Sequence, residues 1–182
     1  QLTNFPGGDF DPSWSPDGSK IVFSSLREDG VLSIYLLDLA DNSVIRIGDP
    51  EGRVNSYADW SPDGQSIVYI GADNRIYSIS LADNQSISLV KGGGNYYNFD
   101  PFWSPDGKVV YFSRKNLDDT TGISTLWAVP FMPDGAMAVE IANSSQVIDP
   151  ALSIDGYWLA FKSWVSGSHD IYLMRSNGVN RE

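Results

Sequence analysis

Three aspartates stand at matched places in this 182-residue chain, each followed by proline: Asp11, Asp100 and Asp149. Hard cations take oxygen ligands, so carboxylates repeated in this way can hold Ca²⁺ or a basic side chain if the fold gathers them about one axis. The same placement also suits a structural role, a capping hydrogen bond in the turn ahead of the proline. A second group is aromatic and basic. Tyr96, Tyr97, Trp164, Arg53 and Arg114 lie in stretches whose length and composition vary along the chain, as do Arg27, Lys91, Lys115 and His169. Tyr, Trp and Arg carry much of the energy of protein interfaces. With 12 Lys plus Arg against 23 Asp plus Glu the net charge is −11. A basic, aromatic surface on so acidic a body selects an acidic or amphipathic protein segment.

Other chemistries fail on residue types. His169 is the sole histidine, so imidazole metal sites are excluded and a Ser–His–Asp triad would have to use it. No Gly-x-Ser-x-Gly elbow occurs, and there is no cysteine to act as nucleophile or disulfide. Gly92–Gly94 lacks the Lys-Ser/Thr continuation of a phosphate loop. No Asp-x-Asp-x-Asp-Gly calcium loop appears. A carboxylate-pair glycosidase is conceivable, but 19 of the 23 acids are Asp, a turn residue, and only Glu28, Glu51, Glu140 and Glu182 are Glu. The acidic balance argues against nucleic-acid binding, which needs clustered Lys and Arg. No apolar run approaches the roughly 20 residues of a membrane helix. The expectation is a chain without catalytic residues, cofactor or protein metal site, an axial Ca²⁺ being the one ion considered.

The elements that position these residues come from a fourfold repeat. Asp11-Pro-Ser-Trp-Ser-Pro-Asp-Gly18 recurs as Tyr57-Ala-Asp-Trp-Ser-Pro-Asp-Gly64, Asp100-Pro-Phe-Trp-Ser-Pro-Asp-Gly107 and Asp149-Pro-Ala-Leu-Ser-Ile-Asp-Gly156. The turn acids Asp17, Asp63, Asp106 and Asp155 are spaced by 46, 43 and 49 residues. Each copy leads into a β-rich run such as Lys20-Ile-Val-Phe-Ser-Ser25, then into a second echo, Ile34-Tyr35, Ile76-Tyr77, Leu126-Trp127 and Ile171-Tyr172. Proline presets φ in the turn, glycine accepts positive φ, and the turn Asp bonds nearby amides. Four short antiparallel strands per ~45 residues make the blade of a β-propeller. The fold class is therefore all-β, four four-stranded blades over approximately 10–48, 57–90, 100–142 and 149–182. Trp14, Trp60 and Trp103 recur at one strand position and are expected in the core.

The repeat, with Trp ahead of Ser-Pro-Asp-Gly and an Ile-Tyr strand behind it, resembles the TolB-type, WD-repeat-like propeller family over the whole chain. The fourth copy departs from it with Leu152 and Ile154, and the second with Tyr57. The resemblance implies a scaffolding, protein-binding or gating role, no catalytic residue, and an extracytoplasmic setting, periplasmic or extracellular. Related blades also occur in peptidases, so a substrate-gating or glycan-processing propeller linked to a hydrolase is the alternative function.

Propeller geometry sorts the connections by side. The short turns share one face. The variable loops 26–31, 71–74, 114–124 and 163–168 share the other with the blade crossings, and binding is expected there. Two arrangements of the ends are open. Residues 1–4 can supply an outer strand to the last blade beside 169–175, or the chain is an open arc of a larger six- to eight-bladed ring whose edges favour association.

Overall fold

The computed structural model describes residues 1–28, 30–48, 56–90, 94–141 and 146–178. Fifteen strands among them form four antiparallel sheets in chain order. The first holds β1 (Asp9–Trp14), β2 (Lys20–Ser25), β3 (Ser33–Asp38) and β4 (Val44–Ile47). The second holds β5 (Ser56–Trp60), β6 (Ser66–Ile70), β7 (Ile76–Ser80) and β8 (Ser86–Ser88). The third holds β9 (Tyr96–Trp103), β10 (Val109–Asn116), β11 (Ser124–Pro130) and β12 (Val139–Glu140). The last holds β13 (Ile148–Leu152), β14 (Trp158–Ser163) and β15 (Asp170–Arg175). This is a four-bladed β-propeller arrangement. Among the described residues the last blade has three strands. No described helix is long and apolar enough to cross a membrane.

Turn chemistry sets the hairpin between first and second strands of every blade. Gly18 N–H donates to Ser15 O at 2.9 Å, and Asp17 accepts from the Ser15 hydroxyl at 2.7 Å and Ser19 N–H at 3.0 Å. The same contacts recur at Asp63, Asp106 and Asp155. These donors hold the Asp17 carboxyl down at about 2 and depress the other three. The fourth turn forms with Ile154 in the proline position, so the Ser–Asp–Gly frame suffices.

Alternation along the strands gives each blade two apolar faces. Val22, Ile34 and Leu36 of the first blade pack on Trp60, Ile67 and Tyr69 of the second. Val68, Ile70 and Ile76 then meet Trp103, Val110 and Phe112 of the third. Leu126 meets Leu159, Phe161 and Met174 of the fourth. The faces beyond this stack behave differently. Trp60 and Trp103 are each 6% exposed, as expected of core residues, but Trp14 is 61% exposed. Among the described residues no blade packs over that side of β1, which corrects the expectation of a third core tryptophan. At the other end Ile171 is 78% exposed, although its equivalents Ile34, Ile76 and Leu126 are buried.

Residues 1–4 do not join the last sheet; they are not a strand, and Leu2 and Thr3 lie beside Ile21, Phe23 and Leu37 of the first blade. The first blade's outward aromatics are covered there. Arg27 lies over the rings of Phe5, Phe23 and Tyr35 and pairs with Asp9 at 2.8 Å.

Candidate functional site

The inner strands place Asp11, Tyr57, Asp100 and Asp149 at equivalent positions about one axis. In each blade the register slips by a bulge at this point. The four residues adopt left-handed φ of 50°, 53°, 49° and 49°. Asp tolerates that conformation better than most residues, while Tyr57 holds it against its steric preference. The bulge, and not the expected capping bond, explains the leading acids: neither Asp11 nor Asp100 accepts a hydrogen bond from a described residue. Asp149 instead pairs with Lys162 at 2.8 Å.

All four line an open cavity of about 600 Å³. Burial, reinforced by the carboxylates of Asp149 and Asp11, pushes Asp100 up to about 6, with Lys162 opposing. Burial also raises Asp11. Tyr57 is raised by burial and by its neighbours Tyr97, Asp100 and Asp11. Among the described residues no three carboxylates or imidazoles come together as a chelating group. What the axis offers is an open acidic cavity in which the Asp100 carboxyl is the one pushed up by its acidic neighbours. Beside it Asp59 ties three blades together, accepting from the Ser13 hydroxyl at 2.8 Å and Trp103 N–H at 3.3 Å. It is the one acid at its repeat position, where the other copies have Ser13, Phe102 and Ala151, a signal the sequence reading missed.

The second assembly lies between the second and third blades. β10 extends past its repeat equivalents, so the expected loop 114–124 begins as strand, with Arg114 opposite Asn98 of β9 and Thr125 of β11. Arg114 Nε donates to Asn98 Oδ1 at 2.8 Å, and the Asn98 amide nitrogen donates to the Asn74 carbonyl, which orients the side chain. The guanidinium carbon lies 4.5 Å from the ring centres of both Tyr96 and Trp127 and 5.0 Å from that of Phe112. Trp127 is held by its own N–H bond to Thr125 Oγ1 at 2.8 Å. Arg114 is only 8% exposed, and burial lowers its pKa. A side chain at position 94 would overlap the Tyr96 ring, so glycine there makes its seat. These groups line a cavity of about 300 Å³.

The structure thus brings together two of the expected binding residues, Arg114 and Tyr96. Tyr97 points the other way, stacked on Phe99 at 5.8 Å and near Tyr57. Trp164 is exposed in the fourth blade, edge-on to His169 at 4.6 Å. Arg53 and Lys91 lie outside the described residues. Asn74, Asn98 and Trp127 were not singled out from sequence; Trp127 was read only as the strand echo of the repeat.

Residues 1–126 match the family described as TolB beta propeller domain. The chain belongs to the TolB β-propeller family. Over 170 residues it is 26% identical to the uncharacterized peptidase YuxL of Bacillus subtilis, covering 90% of this chain and 24% of that protein. Over 134 residues it is 31% identical to an uncharacterized protein of Agrobacterium fabrum, covering 72% of this chain and 42% of the relative. It spans less than half the length of either. The crystal structure of TolB from Acinetobacter baumannii superposes with a TM-score of 0.81 at 20% identity, over 99% of this chain and 44% of that one. At that identity the likeness carries the fold alone.

Proposed function

We propose that this TolB-family propeller is a non-catalytic binding module whose loop face takes an acidic or amphipathic protein segment, in an extracytoplasmic setting. The observation that carries the reading is the Arg114 cluster: a buried cation ringed by aromatics, on the side of the variable loops, in a protein of net charge −11. Opposite charge attracts the segment, and like charge over the rest of the surface turns other approaches away. Trp164, exposed in a variable loop, and Tyr97, exposed at the loop end of β9 but across the sheet from Tyr96, supply further contact area. A partner captured with the wild-type protein tests this. Tyr97→Ala and Trp164→Ala should each weaken binding by about 1–3 kcal/mol with little change in folding. Gln65→Ala and Gln85→Ala on the short-turn face should leave affinity unchanged. The opposite pattern would put binding on the wrong side.

The likeness to a relative named as a peptidase favours one second reading, a propeller that gates substrate access to a hydrolase. A hydrolysis screen on peptides and glycans separates the two, since the binding module turns over neither.

A further inference from the structure

We infer that the cavity between the second and third blades is a carboxylate site, with Arg114 as the group that recognises the ligand. The inference deepens the loop-face reading and rests on it for the kind of partner involved.

Three features of Arg114 lead there. It is more than nine-tenths buried, yet none of the ion pairs among the described residues involves it. The one described carboxylate lining the cavity, Asp73, is engaged elsewhere, by Arg75 at 3.4 Å and the Tyr77 hydroxyl at 3.0 Å. Buried charges are normally paired, and the aromatic rings around this one supply only cation–π attraction. Second, only one of its five N–H donors is used. Nε is committed to Asn98, and the two Nη groups have no partner among the described residues while the side chain lines the cavity. Third, the support is built. Asn74 orients Asn98, Asn98 fixes Nε, Thr125 fixes Trp127, and Gly94 leaves room for Tyr96. A guanidinium held in this way presents a planar, preorganised fork.

A fork of that shape matches a carboxylate in plane and in charge. A phosphate matches less well. Its second negative charge would go unbalanced, because Arg75, the other described cation lining the cavity, is already paired with Asp73. The ligand group is therefore a carboxylate carried by a peptide, either an acidic side chain or a free C-terminus.

Four fluorescein-labelled peptides distinguish these sources: tetraglutamate with an amidated C-terminus, tetraserine with a free C-terminus, tetraserine amidated, and an amidated tetraserine bearing one phosphoserine. Anisotropy at low salt should show saturable binding of one or both of the first two. The third should not bind, and the fourth should bind at least several-fold more weakly. Arg114→Gln should lose about tenfold or more of the affinity, equivalent to about 1.4 kcal/mol. Arg114→Lys, which keeps the charge without the fork, should lose part of it. The Arg114 Nε–H resonance of the wild-type protein should shift on titration, a readout that needs no variant and survives a folding failure in Arg114→Gln. No saturable binding by the first two peptides overturns the inference. So does unchanged affinity in a folded Arg114→Gln, or binding of the phosphopeptide as tight as the carboxylates. A captured partner that is weakened by Tyr97→Ala but not by Arg114→Gln keeps the loop-face reading and overturns this site alone.

Discussion

The axis and the groove between the second and third blades are built in opposite ways. At the axis, one repeat position contributes from every blade, so like residues accumulate: Asp11, Asp100 and Asp149 share a cavity, and burial together with the other two carboxylates raises Asp100. In the groove, no two contributors occupy the same repeat position. Arg114, Asn98, Tyr96 and Trp127 come from three strands of one blade, Asn74 from the neighbouring blade, and they complement one another. Repetition gives a fold its core cheaply, because apolar residues gain from meeting their own kind. Charges do not. A specific polar site in a repeat protein therefore arises where the copies differ.

The largest effect tests whether repeat position determines role at all. Trp60→Ala should cost about 3–5 kcal/mol in denaturant unfolding, the usual loss for a large buried aromatic. The same change at Trp14 should cost less than about 1 kcal/mol. Equal losses would show that the first blade's inner strand is covered after all.

Next comes the groove. Gly94→Ala should push the Tyr96 ring off Arg114 and cost about 1–3 kcal/mol, with a change in near-ultraviolet circular dichroism. An unperturbed spectrum and unchanged stability would mean that the ring is not held there.

Asp59→Asn sharpens the comparison from the axial side, since it keeps the shape while removing a buried charge that joins three blades. Burial raises the Asp59 pKa, so folding favours its protonated form. The wild type should lose stability relative to the variant as pH rises above the ordinary carboxylate range. The expected gain at neutral pH is about 1 kcal/mol, read from thermal melts. A loss there would mean that the bonds to Ser13 and Trp103 need the charged acceptor.

The smallest effect is at Asp100. Its folded pKa, about 6, lies above the unfolded value near 3.8. The stabilising contribution of its protonated form is complete below about 3.8 and lost as pH rises through about 6. Asp100→Asn should therefore be more stable than wild type at pH 7 by about 1 kcal/mol or less, after solvent screening. The difference should shrink toward zero by pH 4. The turn acids act with the opposite sign. Asp17, held at about 2, contributes stability present above about 3.8 and lost as pH falls toward 2. A wild-type-minus-variant difference that stays flat from pH 4 to 7 would remove Asp100 from the account.

Much of the frame was legible because its causes are local. Ser-Pro-Asp-Gly specifies a hairpin through φ and short-range hydrogen bonds, and it does so four times. Even where Ile154 replaces the proline, the Ser153–Asp155 frame makes the turn. The alternation of each strand already separates Tyr96 from Tyr97 across the sheet, so grouping them was avoidable. The axial acids were legible as a set, but their backbone was not. A left-handed residue inside a bulge depends on how two strands slip past each other, and Asp-Pro alone does not encode that slip.

The sequence by itself determined the class, the number of blades, the hairpin turns and which faces of each strand are apolar, because these follow from neighbours within a few residues. The tertiary structure decided the rest. Whether a repeated tryptophan is buried depends on what stands in front of its blade, which is why Trp14 and Trp60 share a motif and not an environment. Whether Arg114 is a solvated loop cation or a buried one depends on the side chains of Asn98 and Trp127 and on the backbone carbonyl of Asn74, brought to it from two blades. Burial and electrostatic pairing are properties of distance in space, and chain spacing does not supply that distance across two blades.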